Sequence, residues 1–312
     1  MQNVVKRMSV RAIVMCLSLS FLTMAIVNAK KADDCIVFTS DASSVDNSGN
    51  FGRNSLLVID SESAHSRILV KSSTNNGNGF VKPTVSDNGS RIVYIGGAAG
   101  VNSHIMTVNF VNSQTVVIDG FGDGFNSIGP LIGNNPSISN DGKQLVFTDP
   151  DKTLLWTDGI TQKRLFQNVD EARWSPDNQY IAFVSDGTSF MMNADGSGVK
   201  SISPKYLAIN GISWSPDGSR IAISAKKGNR SRIWLVDVNG RNQREVAAIS
   251  SDTEFDDLSP GWSPDGRYIV FVRNTRYSSN GIHVMDINGG SLKYLTTGNS
   301  PVWVSTGNIC RK

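Results

Sequence analysis

Histidine and cysteine are scarce in this chain: its 312 residues include three of each. His65, His104 and His283 do not fall at a metal-ligand spacing, and there is no Cys/His pattern of a zinc site. Cys16 lies in the N-terminal leader, so two cysteines remain, Cys35 and Cys310. That excludes a disulfide-dense scaffold. Beyond the leader no stretch shows convincing helical periodicity. No G-x-S-x-G elbow occurs, and no pair of carboxylates stands out as a catalytic set. The glycines of "GFGDGFNSIG" neither follow a strand nor open a helix, so they fail the context of a dinucleotide fingerprint.

An excess of one charge is also missing. The chain has 30 Lys+Arg and 27 Asp+Glu, but Lys6, Arg7 and Arg11 sit in the first 29 residues, which contain no acid. That segment reads as a secretory signal peptide: a basic start, the apolar run "AIVMCLSLSFLTMAIV", and small residues around a cleavage point after Ala29. An uncleaved anchor is the alternative, but the run is short for a span. The mature chain is formally neutral and has no basic stripe interleaved with aromatics. No nucleic-acid partner and no stable membrane span after cleavage are expected. The expected location is periplasmic or secreted.

What the chain does have is a repeat. "SWSPDGSRIAIS", from Ser213, recurs as "GWSPDGRYIVFV" from Gly261 and "RWSPDNQYIAFV" from Arg173. Equivalent turn positions are Gly89, Gly142, Asn178, Gly218, Gly266 and Gly307, spaced by 53, 36, 40, 48 and 41 residues. Four residues before each stands a large apolar side chain: Val85, Ile138, Trp174, Trp214, Trp262 and Trp303. Asp141, Asp177, Asp217 and Asp265 immediately precede four of the turn positions. A β-type run follows most turns, then a second apolar run ending in Asp or Asn, then an Asn/Asp-Gly turn and a last strand. Four strands in about 40 residues is the pattern of a propeller blade.

Counting gives an all-β chain of six four-stranded antiparallel blades over residues 30–312. "CIVFTS" (35–40) matches a second strand and "PVWVSTGN" matches a first strand. Ring closure therefore pairs the chain's end with its beginning. A Cys35–Cys310 disulfide would lock that closure in an oxidising compartment. The tryptophans are expected to wedge between blades. The repeated aspartates are expected to hold turns, with glycine supplying a positive φ.

"WSPDGSRIAIS…RIWLVDVNG" and "WSPDGRYIVFV…GIHVMDINGG" resemble the WD40-like repeat of TolB-type six-bladed propellers. The likeness covers the mature chain and is strongest in blades four to six, since blades two and three lack the Trp and Pro. It implies a periplasmic propeller that binds a protein or envelope component, with a peptidoglycan-associated lipoprotein as one partner. The family's α/β domain ahead of the propeller has no expected counterpart here, because blade one starts soon after the cleavage point.

Strand direction places the short turns at one end of the ring and the long loops at the other. Loops on a rigid scaffold carry binding. Phe51, Arg53, Phe121, Phe125, Tyr206, Phe255, Arg273, Arg276 and Tyr277 are the expected partner-binding residues, because aromatic and Arg side chains anchor interfaces. Local covering of the propeller is the alternative for each. No cofactor is expected. "DTEFDD" (Asp252, Glu254, Asp256, Asp257) and Asp119/Asp123 offer carboxylate oxygens for Ca2+, against a plain solvated acidic loop. His283 reads as a packed histidine. The expectation is a non-catalytic binding propeller. The alternative is a lyase or hydrolase acting on a carbohydrate or lactone, with a metal in the central channel.

Overall fold

The computed structural model describes residues 34–40, 55–60, 66–70, 81–86, 89–96, 104–111, 114–119, 131–203, 208–246, 255–275, 280–305 and 309–310. They lie within one unit, Asp34–Lys312. Six antiparallel sheets form six blades. Blade two is Val81–Val85, Arg91–Gly96, His104–Val111 and Gln114–Asp119, with Leu131–Ile132 added against its third strand. Blade three is Asn134–Ile138, Leu145–Thr148, Leu154–Thr157 and Gln162–Phe166. Blade four is Val169–Trp174, Tyr180–Ser185, Thr188–Asn193 and Lys200–Ser201. Blade five is Ile209–Trp214, Arg220–Lys227, Arg230–Asp237 and Arg244–Glu245. Blade six is Phe255–Trp262, Tyr268–Thr275, Gly281–Asp286 and Lys293–Thr297.

Blade one is assembled from both ends of the chain. Asn299–Val304 pairs with Cys35–Thr39, which pairs with Leu56–Asp60, then Ser66–Val70. Cys35 lies opposite Val304 and is disulfide-bonded to Cys310 across 275 residues of sequence. Ile309 is fully buried beside it, and its carbonyl accepts a hydrogen bond from Arg67. The first strands contact one another in order around the ring, blade six meeting blade one.

Middle strands read as continuous apolar runs because a blade is covered on both faces. In Tyr180–Ser185, Ile181 and Phe183 join the cluster facing blade three, while Ala182 and Val184 join the one facing blade five. Each gap between neighbouring blades holds one such cluster. The tryptophans sit in these gaps: Trp174 between blades three and four, Trp214 between four and five, Trp262 between five and six, Trp303 between six and one. Trp214 also donates its Nε1–H to the Arg173 carbonyl of the preceding blade at 3.1 Å.

The repeated turn is held by its serine as much as by its aspartate. In blade five the Ser215 hydroxyl donates to Asp217 Oδ1 at 2.6 Å and accepts from the Arg220 N–H at 2.9 Å. Asp217 Oδ1 also accepts from the Ser219 N–H at 3.0 Å, and Gly218 sits at φ +68°. Ser139 with Asp141, Ser175 with Asp177, and Ser263 with Asp265 repeat the contact in blades three, four and six. These serines are buried. Neighbouring turns are stitched together: Asn140 donates its side-chain Nδ2 to the Pro176 carbonyl and its backbone N–H to Asn178 Oδ1, both at 2.7 Å.

At the other end of every first strand the register breaks. A bulge interrupts the pairing of first and second strands in all six blades. Lys82, Asn135, Ser259 and Ser300 take φ of +52°, +51°, +50° and +49° there, each followed by proline. Proline has no N–H to give the ladder, so a bulge is where a strand tolerates it. Gly211 fills the corresponding place in blade five at φ +140°, and a Cβ on it would lie 2.8 Å from Pro260 Cδ.

Candidate functional site

The six first strands enclose a central channel with a volume of about 1110 Å³. Its wall comes from the bulged segments of blades two, four, five, six and one, and it extends to Asp186, Gly187, Lys226 and Asn229 near the hairpins between second and third strands. Those hairpins lie at the end opposite the Ser-Asp turns, so the channel mouth is at the long-loop end. At the bulge level the channel-facing residues are polar: Lys82, Asp170, Asn210, Ser259 and Ser300. Asn135 completes this collar from blade three. Its Nδ2 donates to the Asp170 carbonyl at 2.7 Å, and its side-chain oxygen accepts from Lys82 Nζ.

The wall is mixed. Blades two and four supply Lys82, Asp170, Glu171 and Arg173, and blades six and one supply Leu258, Pro260, Pro301 and Val302 beside Asp256, Ser259 and Ser300. Glu171 pairs with Arg173 at 2.5 Å and Asp170 with Lys152 at 2.8 Å. Asp256 accepts from the Ser231 N–H at 2.7 Å and pairs with Arg230 at 3.4 Å. Lys82 is exposed to the channel space yet surrounded by protein. Desolvation pushes its ammonium below the ordinary lysine range, against the pull of Glu171.

Of the residues expected to bind a partner, Phe51, Arg53, Phe121, Phe125, Tyr206, Arg276 and Tyr277 lie outside the described residues. Phe255 and Arg273 are corrected by the structure. Residues 255–260 and 273–275, expected in loops, continue the first hairpin of blade six, with Phe255 opposite Thr275 and Asp257 opposite Arg273. Arg273 is 7% exposed and grips Asp257 with two bonds, Nε to Oδ1 at 2.7 Å and Nη2 to Oδ2 at 3.0 Å. Its guanidinium lies 3.8 Å from the Phe255 ring centroid, and Arg232 covers the same ring at 4.3 Å. This is a buried clamp, not an exposed anchor.

The acidic run is likewise divided. Asp252 and Glu254 lie outside the described residues, as does Asp123. Successive strand residues point to opposite faces. Accordingly Asp256 lines the channel while Asp257 is buried against Arg273. Burial pushes the Asp257 carboxyl up, and Arg273 opposes that shift. Among the described residues no group of three or more His, Cys, Asp or Glu side chains is placed to hold a metal ion. His283 is packed between Phe271 and Tyr294, with ring centroids at 5.8 and 5.4 Å. Its Nδ1 faces the Gly281 carbonyl at 3.0 Å, and burial pushes its pKa down.

The collar was missed from sequence. Its one signal is a proline two residues before the wedge position, in "KPTV", "NPSI", "SPGW" and "SPVW".

Closed ring, wedged gaps, terminal strand exchange and an open axial channel define the class: a six-bladed β-propeller. Comparison with known proteins finds its likeness among TolB propellers. Residues 157–309 match the family model described as PD40, TolB beta propeller domain. The fold is similar to the crystal structure of TolB from Acinetobacter baumannii, with a TM-score of 0.71 at 19% identity, covering 93% of this chain and 71% of that one. A putative TolB from Agrobacterium tumefaciens superposes with a TM-score of 0.63 at 17% identity, covering 86% and 90%. In sequence, an uncharacterized protein of Agrobacterium fabrum is 26% identical over 204 residues, which is 57% of this chain and 68% of that protein. Among the described residues no helix is long and apolar enough to cross a membrane.

Proposed function

We propose that the chain is an exported, non-catalytic TolB-like propeller that binds a protein or another envelope component through its long-loop end. The observation that carries this reading is the contrast between the two ends. Every blade from three to six makes the same Ser-Asp contacts at its turn, whereas the channel end differs from blade to blade and opens to solvent. A rigid scaffold with one repetitive and one varied end is a scaffold for recognition. The basic start and apolar run of residues 1–29 support a periplasmic or secreted location after cleavage near Ala29. A peptidoglycan-associated lipoprotein is the first partner to try.

The test is direct binding of the exported protein to purified peptidoglycan-associated lipoprotein from the same cells, alongside capture from envelope extract. Phe51→Ala, Arg276→Ala and Tyr277→Ala are expected to weaken capture while thermal unfolding stays unchanged. If every captured partner is retained by all three variants, the long-loop assignment is wrong.

A further inference from the structure

Lys82 is held in an unusual way for a lysine open to a cavity. It stands on the bulge of blade two at φ +52°, and it is exposed to the channel space. Its one hydrogen-bond partner among the described residues is the amide oxygen of Asn135. That amide is fixed in orientation, because its Nδ2 is committed to the Asp170 carbonyl at 2.7 Å and to Thr148 Oγ1 at 3.3 Å. An amide oxygen accepts from a neutral amine as well as from an ammonium. It therefore positions the nitrogen without demanding a charge on it.

The acids nearby are engaged elsewhere. Glu171 pairs with Arg173 at 2.5 Å and Asp170 with Lys152 at 2.8 Å, and neither forms an ion pair with Lys82. Both still favour its proton through space, while Arg173 opposes it. Desolvation by the channel wall outweighs the acids and holds the ammonium below the ordinary lysine range. A lysine in that condition has a larger free-amine fraction at neutral pH and is a better nucleophile. The charges around it largely offset one another, so the lining favours a neutral ligand. Leu258, Pro260, Pro301 and Val302 add apolar surface to the same cavity of about 1110 Å³, large enough to hold a small molecule beside the lysine.

We propose that Lys82 is a covalent capture site for small neutral aldehydes, which it holds as an imine in the channel. The Nζ lone pair attacks the carbonyl carbon, and a C–N bond forms. One amine proton passes to the oxygen, giving a carbinolamine. The C–O bond then breaks, the second amine proton leaves with that oxygen as water, and C=N remains. No oxidant or reductant enters, and hydrolysis reverses the step. The site stands apart from whichever partner the long loops take.

The test is exposure of the exported protein to limiting benzaldehyde with cyanoborohydride, which reduces each imine to a stable amine. Peptide mapping by mass spectrometry then gives the rate at each lysine as a function of pH. At neutral pH Lys82 is expected to react several times faster than the exposed Lys143 and Lys200, and its rate should level off at a lower pH than theirs. The lead should vanish in guanidinium chloride, because the folded channel wall causes it. Glu171→Gln removes one acid and leaves the Arg173 charge unpaired beside Lys82, so it should quicken the reaction in the folded protein. Lys82→Arg should remove the fast site. Unfolding curves check that each variant is folded, and if one is not, the unsubstituted protein with and without denaturant carries the test. The proposal is overturned if Lys82 reacts no faster than the exposed lysines, or if its rate levels off at the same pH as theirs. It is equally overturned if the lead persists in denaturant, or if folded Glu171→Gln fails to quicken the reaction.

Discussion

The two ends of this propeller are built from the same strands and behave differently. At the turn end, blades three to six repeat one arrangement: a buried serine, an aspartate accepting its hydroxyl, and a residue at positive φ. At the channel end the backbone repeats too, as a bulge in every blade, but the side chains do not. The collar carries lysine, asparagine, aspartate and serine at comparable positions. Repetition marks what every blade needs in order to close, and variation over a repeated backbone marks where recognition can be written.

That contrast can be broken most severely in blade six, where the long-loop end has a buried clamp of its own. Asp257→Ala leaves the Arg273 guanidinium buried without its carboxylate, and the expected loss is about 3–5 kcal/mol in denaturant unfolding. A loss under about 1 kcal/mol, the surface ion-pair scale, would mean that the pair is solvated and that this end is as open as the sequence implied. The next effect is smaller and should recur. Ser215→Ala removes two hydrogen bonds from a buried turn and should cost about 1–2 kcal/mol. Ser139→Ala, Ser175→Ala and Ser263→Ala should each cost a similar amount in urea midpoints at constant slope. Unequal costs would show that the turns are not interchangeable.

The smallest effect is the pH response of the exposed turn acids. The Ser215 hydroxyl and the Ser219 N–H hold the Asp217 carboxyl below its ordinary range. The Thr161 and Ile160 N–H groups do the same for Asp158. Their folded pKa values lie below the unfolded ones, so the unfolded chain binds more protons in acid. Their contribution is present in full above the ordinary aspartate pKa near ~3.9 and is lost as pH falls through the folded values. Unfolding temperature should therefore decline below about pH 4. It should decline less in Asp217→Asn, which lacks one of the groups. An identical decline in that variant would remove the turn acids as the cause.

Blade number, strand order and ring closure were legible because they rest on short-range chemistry. A blade covered on both faces needs apolar runs such as "YIAFV", and a tight turn needs an acid and a residue tolerating positive φ. Both leave marks in adjacent residues. The serine before the proline was present in the same marks and passed over, although it is the hub of each turn. Phe255 and Arg273 were misplaced for a different reason. "DTEFDD" is as polar as a loop, and only pairing with Tyr268–Thr275 places its last three residues, Phe255, Asp256 and Asp257, in a strand. Asp257 and Arg273 are sixteen residues apart, and nothing local announces that they will face each other in the dark.

The sequence by itself determined the repeat, the six-bladed all-β ring and the pairing of Cys35 with Cys310, because each follows from patterns local to a blade or from counting blades. The tertiary structure alone decided which charges remain unpaired in the channel. That outcome depends on side chains from separate blades meeting around one axis. Lys152 of blade three reaches Asp170 of blade four, Arg230 of blade five reaches Asp256 of blade six, and Lys82 of blade two meets the Asn135 amide oxygen of blade three. Coulomb pairing acts over a few ångströms in space, and no spacing along the chain encodes it.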